Sequence, residues 1–351
     1  MDWNKKKKWI LIMAFSFIAG LLTACSGKKN EVPKSGMDVQ AAEFEKQEEK
    51  LHIVCTTYPQ YDWVQQILGE NPGHIEVNYL LKSGVDIHSY QPSAEDMMAI
   101  SDCDLLIYVG GQSEQWLKEA QKNSKNENQK VIDMMDMLGE RIWEEELAEG
   151  MQTEAEEEHL VSHEKSESKE IEYDEHIWLS LKNAEQICQE IVKVLKEMDS
   201  VHQEVYQKNG DCYLEELDAL DRQYREAIDM SKQKTLLFAD RFPFRYLTEE
   251  YGLDYFAAFA GCSAETEASF ETIAFLAAKV DELDLPVIYR IETSDDLLAE
   301  TVRNSTAQKN QTILVLDSLQ AVTQKEIEEG YTYLSVMEQN LELLKQGLLK
   351  E

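Results

Sequence analysis

Short apolar runs alternate with stretches of helical period along most of the chain. Leu51–Cys55 is an apolar run of strand length, followed by a helical pattern from about Gln60 to Leu68 and a second strand over Ile75–Leu81. A glycine-containing loop then carries His88, and Ser93 stands where an N-cap belongs, ahead of a helix over Ser93–Ile100. Leu105–Val109 is wholly apolar and ends at Gly110-Gly111. Buried strands alternating with helices predict βαβ units and a mainly parallel sheet. Beyond Ile177–Ser180, two long helical patterns follow, Lys182–Met198 and Val201–Ile228. Leu214, Leu217 and Leu220 recur at helical spacing in the second, and Gly210 is the expected kink. A second α/β series then begins. It has strands at Thr235–Ala239, Tyr255–Phe259, Val287–Tyr289 and Thr312–Leu316, a helix over Phe244–Tyr251 stopped by Gly252, another over Phe270–Leu283, and a terminal helix over Tyr331–Leu349. The pattern predicts an α/β fold of two lobes with mainly parallel sheets, residues 48–196 and 232–351, bridged by a long rigid helix over 197–231.

The N-terminus changes this picture. Lys5–Lys8 form a basic patch, Trp9–Leu22 an apolar run shorter than the roughly 20 residues a membrane span needs, and Leu22-Thr23-Ala24-Cys25 a small-residue ending. This ending resembles a bacterial lipobox, so residues 1–24 are expected to be a lipoprotein signal peptide and Cys25 the lipidated residue. Residues 25–47 make a polar tether, and the body is extracytoplasmic and lipid-anchored to the cell membrane.

The formal charge is −34. Removing residues 1–24, with four lysines and one aspartate, leaves 30 basic and 67 acidic groups, or −37. That excludes nucleic-acid binding, which needs a basic face, and favours the attraction of cations. Residues 144–175 hold 14 acidic residues and two lysines, with His159 and His163, and read as a flexible, solvated surface loop. No two cysteines form a CxxC pair, and Cys55 and Cys103, within apolar runs, are expected as buried free thiols.

His88 lies between a strand and a helix, in Gly84-Val85-Asp86-Ile87-His88-Ser89-Tyr90-Gln91-Pro92-Ser93. Loops at the carboxyl ends of parallel strands are where open α/β sheets bind ligands. His176 follows the acidic stretch, in Asp174-Glu175-His176-Ile177-Trp178-Leu179-Ser180-Leu181-Lys182-Asn183-Ala184. These two motifs, with Gly110-Gly111 and Glu114-Gln115-Trp116-Leu117, resemble the zinc- and manganese-specific substrate-binding lipoproteins of metal ABC importers. Tyr246, Tyr251-Gly252-Leu253, Leu316-Asp317-Ser318-Leu319 and Tyr333 to Asn340-Leu341 extend the resemblance across nearly the whole mature chain.

The resemblance implies a metal held between the lobes by His88 and His176 from the first lobe and Asp317 from the second. The family's remaining ligand, a histidine or glutamate, falls at Arg241, a permanent cation with no acceptor. Asp240 is then the expected substitute, with Glu292, Glu267 or a water as alternatives; where a water completes the site, Arg241 is expected to pair with Asp317 or a nearby glutamate. Two histidines with carboxylates suit zinc, and next manganese or iron, but not calcium or magnesium. The implied function is capture of a divalent transition metal, zinc first, and its delivery to an ABC permease with its ATPase. A manganese- or iron-binding relative and an adhesin-type lipoprotein with a degenerate site are the alternatives. The chain carries no GxSxG, P-loop or GxGxxG, and no motif supplies a metallohydrolase's base, so a monomeric binding protein rather than an enzyme is expected. His52 and His74 have no partner motif, and His202, on the bridging helix, is expected to be exposed. Cys262, in Gly261-Cys262-Ser263, lacks the neighbouring base of a nucleophile.

Overall fold

The first lobe forms because its apolar runs are covered on both faces. In this computed structural model, which describes residues 50–69, 73–152, 172–263 and 267–349, β1 (Leu51–Cys55), α1 (Tyr58–Leu68), β2 (Ile75–Tyr79), α2 (Ala94–Asp102), β3 (Leu105–Tyr108), α3 (Trp116–Lys122), β4 (Lys130–Asp133), α4 (Met134–Leu138) and α5 (Leu181–Met198) follow in order. The four strands make an all-parallel sheet of order β2-β1-β3-β4. Every residue of β3 is buried, as an interior parallel strand requires. Ser93 caps α2, accepting from Asp96 N and receiving the Asp96 carboxylate in return. The edge strand β4 escaped the sequence pattern because only Ile132 of its four residues is buried.

The second lobe repeats the plan after α6 (Gln203–Met230). It runs β5 (Thr235–Phe242), α7 (Arg245–Tyr251), β6 (Asp254–Ala260), α8 (Phe270–Glu282), β7 (Val287–Ile291), α9 (Leu297–Ser305), β8 (Thr312–Leu316), α10 (Gln324–Glu328) and α11 (Tyr333–Leu348), with a parallel sheet of order β6-β5-β7-β8. Gly252 closes α7 in the left-handed conformation, φ 66°, as its position predicts.

Helix α6 does not break at Gly210. A Cβ there would lie 2.4 Å from Val192 Cγ2, so the glycine lets α5 and α6 approach closely instead of kinking the helix. The helix also ties the lobes together. Asn209 Nδ2 donates to Ile67 O in the first lobe at 3.0 Å, and Tyr224 OH donates to Met337 O in the second at 2.6 Å. One apolar core runs without interruption from Ile53 and Trp63 through Trp178 and Tyr224 to Phe238, Tyr333 and Leu344. Trp178 Nε1 donates to Ser318 O at 2.8 Å, and Tyr333 OH donates to Trp178 O at 2.6 Å.

The expected leader, Cys25 and the expected tether lie outside the described residues, as do residues 153–171 with His159 and His163. The ends of the acidic stretch are not the solvated loop its composition predicts. Glu144 and Tyr173 form an antiparallel bridge, Gln152 N donates to Ala258 O at 3.0 Å, and Asp174 and Glu175 are buried. Asp174 Oδ1 and Glu175 Oε1 accept from specific donors, which composition alone does not reveal. Among the described residues the cysteines are free thiols, with Cys55, Cys103 and Cys188 buried.

Candidate metal centre

The carboxyl ends of the two sheets meet. Gln324 N donates to Lys82 O at 3.0 Å, and Arg241 at the end of β5 reaches Asp86 beyond β2. His88 leaves the loop after β2 in a single helical turn, Ile87–Ser89, capped by Asp86, whose Oδ1 accepts from His88 N at 2.9 Å. His176 precedes the turn Ile177–Leu179. Asp174 Oδ1 accepts from both His176 N, at 2.8 Å, and His176 Nδ1, at 2.9 Å, fixing the ring by backbone and side chain together.

The two rings point their Nε2 atoms at each other, 3.2 Å apart. Their proton affinities are split. Burial, the neighbouring His176 and Arg241 push His88 down to about 4, against the pull of Asp86. Burial also opposes charge on His176, but Asp174 outweighs it and raises this imidazole above its ordinary value. One consistent proton arrangement follows. His176 donates through Nδ1 to Asp174 and through Nε2 to His88, and His88 donates through Nδ1 to Ser113 Oγ at 2.8 Å. The shared proton sits where a cation bound to both Nε2 atoms would sit. A tetrahedral zinc with bonds of about 2.05 Å holds two nitrogens about 3.3 Å apart, close to the spacing found.

Behind His88, Glu175 Oε1 accepts from Ser113 N at 2.9 Å, while its buried Oε2 has no hydrogen-bond partner and lies 3.8 Å from His88 Nδ1. Gly111, at φ +83°, makes room for that carboxylate, since a Cβ would fall 2.5 Å from Glu175 Oε1. The predicted Glu114 supports the same loop by accepting from Gly110 N at 2.9 Å, and burial raises its carboxyl to about 8.

The third metal-ligating group at this point is Cys262. Its Sγ and one nitrogen of each histidine all lie within 4.8 Å of one another. Cys262 follows β6 in the opposite lobe, its N–H donates to Glu145 Oε1 at 2.9 Å, and the preceding Gly261 abuts the His176 ring. Burial and the nearby Asp174, Glu145 and Glu175 raise the thiol well above its ordinary value, so the sulfur keeps its proton until a cation displaces it.

The expected carboxylates do not join this group. Asp240 turns into its own lobe: Oδ1 accepts from Arg241 N at 2.8 Å, and Oδ2 accepts from Ile291 N at 2.9 Å and from the Ser294 hydroxyl. Asp317 caps the turn after β8, with Oδ1 accepting from Leu319 N at 2.8 Å and Oδ2 accepting from the Tyr331 hydroxyl. Glu292 accepts from Ser318 N and Oγ at 2.8 and 2.7 Å, and burial and Asp317 raise its carboxyl to about 8. Among the described residues, no set of three close metal-ligating groups includes Asp240, Asp317, Glu292 or Glu267. The physical reason is common to Asp240, Asp317 and Glu292: each carboxylate is already occupied by backbone or hydroxyl donors. Arg241 also departs from expectation. Its Nη2 donates to Asp86 Oδ2 at 2.8 Å across the cleft, and among the described residues neither Asp317 nor a glutamate pairs with it. Burial works against the Asp86 charge, yet His88 and Arg241 together hold the carboxyl below its usual value. The arginine's charge is thereby neutralised beside the site.

Sequence reasoning missed Cys262, although the rule that drew attention to His88 also covers it. It stands in the loop at the carboxyl end of a predicted strand.

A family model described as zinc-uptake complex component A, periplasmic (ZnuA), matches residues 53–347. The high-affinity zinc uptake system protein ZnuA of Bacillus subtilis (strain 168) is 29% identical over 345 residues, 98% of each chain. The zinc-binding lipoprotein AdcA of Streptococcus pneumoniae serotype 4 is 32% identical over 341 residues, 97% of this chain and 61% of its own length. Among solved structures, the Zn(II)-bound ZnuA-like domain of Streptococcus pneumoniae AdcA superposes with a TM-score of 0.66 at 28% identity, covering 86% of this chain and 100% of that one. The metal-dependent lipoprotein YcdH of Bacillus subtilis does so with 0.67 at 27%, over the same shares.

Proposed function

The chain belongs to the zinc-uptake component A family, and from that premise we propose that it is the substrate-binding protein of an ABC importer, taking Zn²⁺ between His88, His176 and Cys262 and passing it to the permease. The observation that carries the reading is the pair of Nε2 atoms 3.2 Å apart, with a sulfur from the opposite lobe beside them. Zinc is the ion of choice because the donor set is two imidazoles and a thiol, soft and borderline groups that manganese, calcium and magnesium accept poorly. A water completes four ligands. Binding converts a proton-sharing pair into a metal-sharing pair and releases the Cys262 proton, so uptake is coupled to proton loss.

The supports behind the histidines match the pattern in which a metal-bound imidazole donates its other N–H to a carboxylate or hydroxyl. Asp174 does this for His176 and Ser113 for His88. Asp174→Asn therefore lowers zinc affinity by about 10–100-fold with the ligands themselves unchanged, as read by competition with a chromophoric chelator. An affinity within threefold of the parent would remove Asp174 from this role.

The anchor belongs to the same reading. A lipidated Cys25 holds the body at the outer membrane face, near its permease, and a relative of the chain carries the name zinc-binding lipoprotein. No enzymatic step is assigned to the site. The direct test is elemental analysis of the purified full-length protein after zinc loading and extensive dialysis. The parent should retain one more equivalent of zinc than the His88→Ala and His176→Ala proteins. Equal retention by all three would remove the cleft from the reading.

A further inference from the structure

Three metal-ligating side chains from two separate segments also converge at the other end of β2. His74 immediately precedes this strand, and the turn between α5 and α6 supplies Asp199, just after α5, and His202, just before α6. His74 Nε2 lies 2.9 Å and His202 Nδ1 2.7 Å from the same oxygen, Asp199 Oδ2. The three ligand atoms lie within 4.8 Å of one another, and the imidazole centroids are 4.8 Å apart. Tyr206 OH donates to Asp199 Oδ2 as well, at 2.5 Å. The side chains of His74, Asp199 and His202 are 15%, 8% and 30% exposed, so the group is sheltered yet reachable.

We propose that His74, Asp199 and His202 form a second binding site, separate from the cleft, for a divalent transition-metal ion. Two imidazoles and one carboxylate, with a water, make a tetrahedral N/O set that suits zinc or a neighbouring first-row ion. One oxygen donor is too few for calcium or magnesium. Without a metal, a single carboxylate oxygen accepts from three donors, more than its two lone-pair sites hold well. A cation replaces two of those N–H contacts, and Tyr206 stays on the carboxylate to orient it. The adjustment is small. Tetrahedral ligand spacings are about 3.3 Å, so both nitrogens retreat from Asp199 by roughly half an ångström.

The site is independent of the first. His74 stands at the amino end of β2, whereas the loop of His88 leaves from its carboxyl end, and a five-residue strand spans about 16 Å. It contains no sulfur, and this difference supplies the readout. An ion there joins the amino end of β2 to the α5–α6 turn, while the cleft remains free to load and unload.

The test is titration of metal-depleted full-length protein with Co²⁺, followed by visible and near-ultraviolet absorption and by equilibrium dialysis. The parent should bind two equivalents, only one of them with a thiolate-to-cobalt charge-transfer band. His74→Gln/His202→Gln, which keeps amide donors near Asp199, should bind one equivalent and retain that band. A His88→Ala/His176→Ala/Cys262→Ser protein should bind one equivalent without it. The second site is overturned if the parent binds a single equivalent, if the glutamine variant still binds two, or if the triple variant binds none. Absence of the charge-transfer band from the parent would overturn the Cys262 assignment alone.

Discussion

Cys262→Ser lowers zinc affinity by about 10²–10³-fold. Zinc sites of this kind are worth roughly 10–16 kcal/mol in all, so each of four ligands contributes roughly 3–4 kcal/mol, or 10²–10³ in affinity. A serine hydroxyl does not ionise to replace the thiolate at neutral pH, and its oxygen is shorter than sulfur. The change leaves packing nearly intact, so the loss falls on binding. It also narrows selectivity. A thiolate favours zinc over manganese far more than an oxygen donor does, so the ratio of zinc to manganese affinity falls with the affinity itself. Competition with a chromophoric chelator, run with both ions, reads both effects. The same experiment separates the structure from the sequence expectation. Asp240→Asn and Asp317→Asn should each stay within about threefold of the parent, because their oxygens serve Ile291, Ser294, Leu319 and Tyr331. A loss at Asp317→Asn as large as at Cys262→Ser would return Asp317 to the ligand set.

Much of this was legible in the chain. Strand and helix positions followed from apolar period, because parallel strands covered on both faces leave nearly continuous apolar runs such as Leu105–Tyr108. The two histidines were legible because each sits at a segment boundary within a family-like motif. The structure adds that an aspartate two residues earlier, Asp86 for His88 and Asp174 for His176, accepts from each backbone N–H. The third group was not. Position in a motif pointed to Asp317, and adjacency to Arg241 pointed to Asp240, but the orientation of a carboxylate depends on which donors surround it: for Asp317 the Leu319 N–H and the Tyr331 hydroxyl, for Asp240 a group on another strand. Ile291 N, which holds Asp240, is 51 residues away in sequence. Arg241 shows the same limit. Its charge argued against a metal until the fold supplied Asp86, 155 positions away. Such an ion pair across the cleft compensates the cation beside the metal and holds the lobes in register. The missed strand β4 has the converse cause, since an edge strand with one buried side chain writes little into the apolar pattern.

The second large effect falls on stability, at the residue that joins the metal site to the frame. Trp178 is fully buried in the turn that follows His176. Its ring meets the His176 ring edge-on, centroids 5.4 Å apart, and its Nε1 and carbonyl oxygen bond to Ser318 and Tyr333 of the second lobe. Truncation of a buried aromatic of this size costs about 3–5 kcal/mol. Trp178→Ala should therefore lower Tm by roughly 6–20 °C, taking about 2–4 °C per kcal/mol for a large domain. The measurement belongs on metal-free protein, since bound zinc stabilises the folded state by mass action and would mask part of the loss. Trp178→Phe divides the effect. It keeps most of the bulk but leaves Ser318 O without its donor, a change of about 1–3 kcal/mol, and a correspondingly smaller fall in Tm. Because the tryptophan also backs the His176 ring, the alanine variant should lose zinc affinity even at temperatures where it is folded, whereas the phenylalanine variant should keep most of it. A Trp178→Ala protein that melts within about 2 °C of the parent would mean that the His176 turn contributes nothing to the union of the lobes.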